Sequence, residues 1–212
     1  MRKCLIVLYS AVALLLVNVY VAKAQQNPLI AYSTEWDAPE YAACNTAAKA
    51  TYMSAQEREL IWVLNMARLN PPLFARTVVK PYSAENGIDM ESQQYYRSLM
   101  RDLMKMEPLT SLIPDRTAYN SARCHAETSG KAGYDGHKRQ TSQCEQVKKF
   151  HGECCSYGVE TPVGVVVTLL VDEDVPSLGH RKICLGAYGK IGVAIRPHKG
   201  YRTNAVMDFL RP

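Results

Sequence analysis

The sequence predicts an α+β fold, with helices along most of the chain and a strand hairpin at its end. Three observations carry this. Ser54-Ala55-Gln56-Glu57 is a capping box, and Leu60, Ile61, Leu64, Ala67 and Arg68 follow it at helical spacing. Residues 91–106 place Tyr95, Leu99, Leu103 and Met106 on one stripe, the mark of a second amphipathic helix. Near the C-terminus, Lys190-Ile191-Gly192-Val193-Ala194-Ile195 and Asn204-Ala205-Val206-Met207-Asp208-Phe209 both alternate, as the two strands of a hairpin do.

The first residues bear on the compartment. Met1-Arg2-Lys3 is a basic start, Cys4 to Val21 an almost unbroken apolar run, and Ala22-Lys23-Ala24 a small-x-small cleavage site. Residues 1–24 therefore read as a secretory signal peptide. A retained membrane anchor is the competing reading, since the run approaches a span in length. The well-formed cleavage site favours removal, and with it an exported protein, extracellular or periplasmic, with no membrane span in its mature form. Cys4 precedes the apolar run, which argues against a lipoprotein.

Removal leaves 188 of the 212 residues, enough for one domain with a sizeable core. It also takes Arg2, Lys3 and Lys23 from the 25 basic residues, so 22 stand against 20 acidic ones and the mature net charge is +2. The basic pI of about 8.8 is partly a property of the leader. No basic face is clustered, which leaves no case for nucleic acid as a partner. Six of the 7 cysteines remain: Cys44, Cys124, Cys144, Cys154, Cys155 and Cys184. An even number in an exported chain predicts that most are disulfide-bonded, with fifteen connectivities open. Free buried thiols are the alternative. No C-x-x-C pair points to thiolate zinc binding, and vicinal Cys154 and Cys155 each look elsewhere for a partner.

In order along the chain, residues 25–53 show no sustained period and read as an extended N-terminal arm, with Cys44 a candidate staple to the body. The helix after Ser54 ends at Asn70-Pro71-Pro72, because the residue before proline avoids the helical region. Leu73-Phe74-Ala75-Arg76 starts a short second piece, and Glu107-Pro108 stops the helix of residues 91–106. Pro114-Asp115 opens the next helix, on which Ala118, Ala122, His125, Ala126 and Ser129 form a small-residue face; Gly130 and Gly133 are expected to end it. His125 takes a packing role there. Residues 134–150 read as loop. Thr161-Pro162 is a helix start before Val163 to Val171, although the valines favour a strand. The cap and the apolar length decide for a buried helix.

Candidate chemistry lies between His137 and His180. Gly136-His137, Gly152-Glu153 and the run Val171-Asp172-Glu173-Asp174-Val175-Pro176-Ser177-Leu178-Gly179-His180-Arg181 set histidines and carboxylates beside glycine, proline or other acids. Imidazole and carboxylate suit a borderline divalent ion such as zinc, and equally suit proton transfer. Their wide spacing makes one site only if the fold gathers the loops. Ser156 and Ser177 sit in no nucleophile elbow.

The pieces Leu64-Asn65-Met66-Ala67-Arg68, Gly136-His137, Gly152-Glu153, Gly179-His180-Arg181, Ile191-Gly192-Val193-Ala194 and Met207-Asp208-Phe209 occur in an order, and with gaps, that resemble the CAP superfamily. This SCP-like family contains the cysteine-rich secretory proteins, antigen 5 and the plant pathogenesis-related 1 proteins, and the chain looks like its bacterial extracellular branch over residues 54–210. The resemblance implies a three-layer α-β-α sandwich with a central antiparallel sheet and a CAP domain over residues 54–212. It implies a cleft lined by two histidines and two acids, carried onto His137, Glu153 and His180, with Glu173 as the second acid and Asp172 next. Cys154 stands where the family usually has asparagine, and Leu169-Leu170 where it often has tryptophan.

Three functions compete for such a cleft. One is a binding module that holds zinc or another divalent cation through His137 and His180 and acts on a lipid, sterol or protein ligand, the classes that the resemblance implies. Another is a structural polar cluster. The third is a metal-assisted hydrolase or peptidase with one carboxylate as base. The absence of a nucleophile and the resemblance both favour the binding module over an enzyme.

Overall fold

The computed structural model describes residues 26–90 and 92–212. The expected signal peptide, residues 1–24, lies outside the described residues. Five helices of the body position the site: α1 (Ala55–Leu69), α2 (Gln94–Lys105), α3 (Arg116–Ala132), α4 (Pro162–Val171) and α5 (Gly179–Cys184). Four strands accompany them: β1 (Ile113–Pro114), β2 (Gly152–Tyr157), β3 (Lys190–His198) and β4 (Arg202–Leu210). The architecture is mixed α/β.

The helix starts follow their caps. Ser54 and Glu57 close the capping box of α1 in both directions. Asp115 accepts from the amides of Thr117 and Ala118 at the start of α3. Thr161 accepts from the Gly164 amide, and the valine-rich α4 is helical and buried almost all round. Helix α2 buries Tyr96, Leu99 and Leu103, so Tyr96 takes the inward place expected of Tyr95.

The strands order β1-β3-β4-β2. The hairpin β3–β4 is antiparallel, as is β2–β4, while Ile113 and Pro114 pair with Lys190 and Ile191 in parallel. The sheet is therefore mixed and not wholly antiparallel. The parallel edge is only two residues long because Asp115 already caps α3.

Helices cover both faces. A Cβ on Gly192 of β3 would collide with the backbone of Ala118 and Tyr119, so α3 lies directly on that face; Gly130 of α3 is likewise pressed on Pro197. Gly130 is thus inside the helix, and Gly133, left-handed at φ 70°, ends it. Cys154 of β2 points to the opposite face, where its sulfur meets Cys184 of α5.

Residues 26–53 are coiled into short turns and helices, with Leu29 and Trp36 fully buried, and do not form an extended arm. Asn65 and Trp62 hold them. Asn65 Nδ2 donates to the carbonyls of Cys44 (3.1 Å) and Leu112 (3.0 Å), its Oδ1 accepts from the Leu112 amide (2.8 Å), and Trp62 Nε1 donates to the Tyr41 carbonyl (2.7 Å). Cys44 is a free thiol, so the staple is this polar network and no disulfide. Arg68 similarly donates to the carbonyls of Thr110, Cys184, Gly186 and Tyr188. Asn65 and Arg68 of the first family-like piece are therefore architectural.

Among the described residues one disulfide is formed, Cys124–Cys144, which fastens the segment after α3 to that helix. Cys44, Cys154, Cys155 and Cys184 carry free thiols, short of the expectation that most cysteines are bridged. Among the described residues no helix is long and apolar enough to cross a membrane.

Candidate functional site

The fold brings His137 and His180 together. Their ring centroids are 6.3 Å apart and their planes are inclined by 37°. Each ring is held by one buried carboxylate: His137 Nδ1 lies 2.9 Å from Glu153 Oε1, and His180 Nδ1 lies 2.7 Å from Asp172 Oδ1. A carboxylate only accepts, so Nδ1 of each ring donates, and in the neutral imidazole Nε2 is the nitrogen with the free lone pair. Neither Nε2 has a hydrogen-bond partner among the described residues. The histidine side chains are open to solvent, at 56% and 23% relative exposure, whereas the two acids are at 2% and 1%.

Local structure explains these placements. His137 lies on the loop after α3. Glu153 sits on β2 directly across from Asp208 of β4. Asp172 ends α4 in the left-handed region at φ 55°, a conformation that aspartate tolerates better than most residues. Its Oδ2 accepts from the amides of His180 (2.9 Å) and Arg181 (3.4 Å), so it also anchors the start of α5. Asp174 and Leu178 in the same loop are left-handed too, at φ 59° and 51°. Such backbone costs about 1–2 kcal/mol per residue and tends to gather at functional sites.

Arg181 does not enter the cleft. Its guanidinium donates to the carbonyls of Leu170, Val171 and Tyr95 and to Asp102, locking α5 against α4 and α2.

Three of the four expected site residues thus converge: His137, Glu153 and His180. The acid in contact with His180 is Asp172 and not Glu173. The residue that ends α4 turns its carboxylate to the start of α5, while Glu173 is exposed. Glu173 lines a cavity of about 310 Å³ beside His180, together with Cys155, Tyr157, Leu169 and Asp172.

Behind the histidines is a buried polar layer that sequence patterning did not single out. Arg139 Nη2 donates to Glu153 Oε2 at 2.5 Å and lies 3.7 Å from Asp208 Oδ2. Burial alone would raise the Glu153 pKa, but the hydrogen bonds from His137 and Arg139 outweigh it and hold the group at about 2. Burial, and then the charge of Glu153, push Asp208 up to about 9, so Asp208 is protonated at neutral pH.

His125 is fully buried, as its place on the small-residue face of α3 implies, and its Nε2 lies 2.9 Å from the Gly136 carbonyl oxygen. Burial, then the Arg139 charge, lowers its pKa and keeps it neutral. Alternation along β2 puts Cys155 on the same face as Glu153. One ligand atom each of His125, Glu153 and Cys155 lies within 4.8 Å of the others, a group able to hold a metal ion. The period-2 relation of Glu153 and Cys155 points to it only once β2 is known to be a strand.

Comparisons with known protein families, curated proteins and solved structures found no match.

Proposed function

We propose that the chain is an exported CAP/SCP-like binding module with the family's α-β-α sandwich, and that its cleft takes up a borderline divalent cation, zinc above all, through His137 and His180. The observation that carries this reading is the pinning of both imidazoles at Nδ1 by buried carboxylates. Histidines that bind metals are oriented in this way, with the far nitrogen left to the ion. The ring centroids are 6.3 Å apart, and one tetrahedral ion with zinc–nitrogen bonds of about 2.0–2.1 Å would draw them about 1 Å closer, a movement that the exposed His137 side chain can supply. Glu153 and Asp172 are then the residues that orient the rings. The coordination positions left open would take water or a donor atom of a ligand or protein partner seated against the cavity wall at Leu169 and Tyr157.

The buried His125, Glu153 and Cys155 group supports a second reading, in which the ion sits inside and takes a thiolate. Cobalt(II) separates the two. An ion on His137 and His180 gives a spectrum without thiolate charge transfer, and a His137→Ala/His180→Ala variant loses the uptake. A near-ultraviolet thiolate-to-cobalt band that vanishes in Cys155→Ser places the ion inside. If neither chain takes up cobalt, the cluster is a structural network.

A further inference from the structure

Cys154 and Cys184 touch without being joined. Their Sγ atoms are 3.9 Å apart, both side chains are fully buried, and both are free thiols. The backbone on each side is fixed: Cys154 is registered with Met207 in the sheet, and the Cys184 carbonyl accepts from Arg68 Nη1 at 2.8 Å. The other free thiols are placed elsewhere. Cys155, next in the strand, points to the opposite face, with its Sγ 3.8 Å from His137 Nδ1. Cys44 Sγ donates to the Glu40 carbonyl at 3.6 Å.

We propose that Cys154 and Cys184 form a second disulfide, which ties strand β2 to helix α5. The sulfurs must approach by about 1.9 Å to reach a normal bond, a movement within reach of side-chain rotation and a small shift of the short helix α5. The bridge would join positions 30 apart in the chain and enclose all of α4 and Asp172. Because Glu153 precedes Cys154 on β2 and His180 lies on α5, the bridge fixes the spacing of the two walls that hold the imidazoles. It does not depend on whether a metal binds there.

The chemistry is thiol–disulfide exchange with a small-molecule or protein disulfide as oxidant. One cysteine thiolate attacks a sulfur of the oxidant, forming a mixed disulfide and releasing one oxidant thiolate. The second cysteine thiolate attacks the protein sulfur of the mixed disulfide and releases the other. Two electrons pass to the oxidant, and the two cysteine protons end on its thiols. Burial shields both sulfurs from an oxidant in the folded chain and disfavours the Cys154 thiolate, so the bridge closes during folding, before α5 docks, and afterwards resists reductants unless the chain is unfolded.

The test is a thiol map of residues 25–212, the chain expected after leader removal and the carrier of six cysteines, after refolding from the reduced, denatured state in a buffer of reduced and oxidised glutathione. Free thiols are blocked with a maleimide in denaturant, and the peptides are mapped without reduction. The expected map has Cys44 and Cys155 blocked, with Cys154 linked to Cys184 beside the Cys124–Cys144 bridge. Four blocked thiols, or Cys154 linked to any other cysteine, overturns the proposal. A Cys184→Ser variant should show three blocked thiols and a Tm lower by about 5–15 °C than the bridged protein. If that variant does not fold, the map of the unsubstituted chain decides alone.

Discussion

Asp172 reaches His180 twice: its Oδ1 accepts from the ring at Nδ1 and its Oδ2 from the same residue's backbone amide, at 2.7 and 2.9 Å. One carboxylate thereby starts a helix and sets the angle of the imidazole on it. The acid that matters is the one whose backbone already ends α4 in the left-handed conformation, and its neighbour Glu173 is left facing solvent on the cavity rim.

Asp172→Asn and Glu173→Gln should therefore behave differently. Loss of the partner that orients a metal-binding histidine costs on the order of 10–100-fold in affinity. Asp172→Asn is expected to weaken zinc binding by that much, and Glu173→Gln by less than about 3-fold, since its carboxylate acts only as an exposed charge near the cavity. Competition titration with a chromophoric chelator reads both. A larger loss in Glu173→Gln than in Asp172→Asn reverses the assignment of the second acid.

The Glu153–Asp208 pair makes stability depend on pH with opposite signs on its two sides. Glu153 is held at about 2, below its ordinary 4.5, so its contribution is full above about 4.5 and is lost as pH falls toward 2. Asp208 is raised to about 9 from 3.8, so the folded chain keeps a proton that the unfolded chain gives up, and stability falls as pH rises between those values. Thermal melts in the presence of a chelator should show Tm declining from about pH 5 to pH 8, and Asp208→Asn should flatten that decline. An unchanged slope in the variant assigns the decline to other groups.

How much of this was legible in the sequence depends on how local the signal was. The caps at Ser54, Asp115 and Thr161 needed only their own neighbours, and the helices begin where those residues indicate. Gly130 misled, because its reason is contact with Pro197 across the layer and not chain termination. Strand β2 carried no alternation of polarity, since Gly152 through Ser156 are all buried, and it was passed over. Residues 26–53 were misread for a related reason: their short turns have no period, and what folds them is Asn65, distant in the chain. At the site, glycine- and acid-rich loops pointed to His137, Glu153 and His180. Arg139, Cys155 and Asp208 join it only through sheet register and loop closure, which no window of sequence displays.

Asn65→Ala tests the account of the N-terminal turns. It strips the buried Leu112 amide of its partner, while the Cys44 carbonyl keeps the Thr46 amide and the Leu112 carbonyl keeps the Thr46 hydroxyl. One unpaired buried amide makes a loss of about 1–3 kcal/mol the expected outcome in urea unfolding, with zinc affinity of the remaining folded protein little changed. A change within about 0.5 kcal/mol means that residues 26–53 do not depend on the Asn65 hydrogen bonds.

The central claim is that His137 and His180 act on one ion. Isothermal titration of zinc into the full mature chain, near neutral pH, tests it most directly when run beside His137→Ala, His180→Ala and the double variant. The account predicts one ion per chain, affinity that falls as pH drops and protons compete with the ion for the ring nitrogens, and a sharp loss in each single variant with the fold retained. Zinc binding that is unchanged when both histidines are removed, or no binding by the unsubstituted chain, contradicts it.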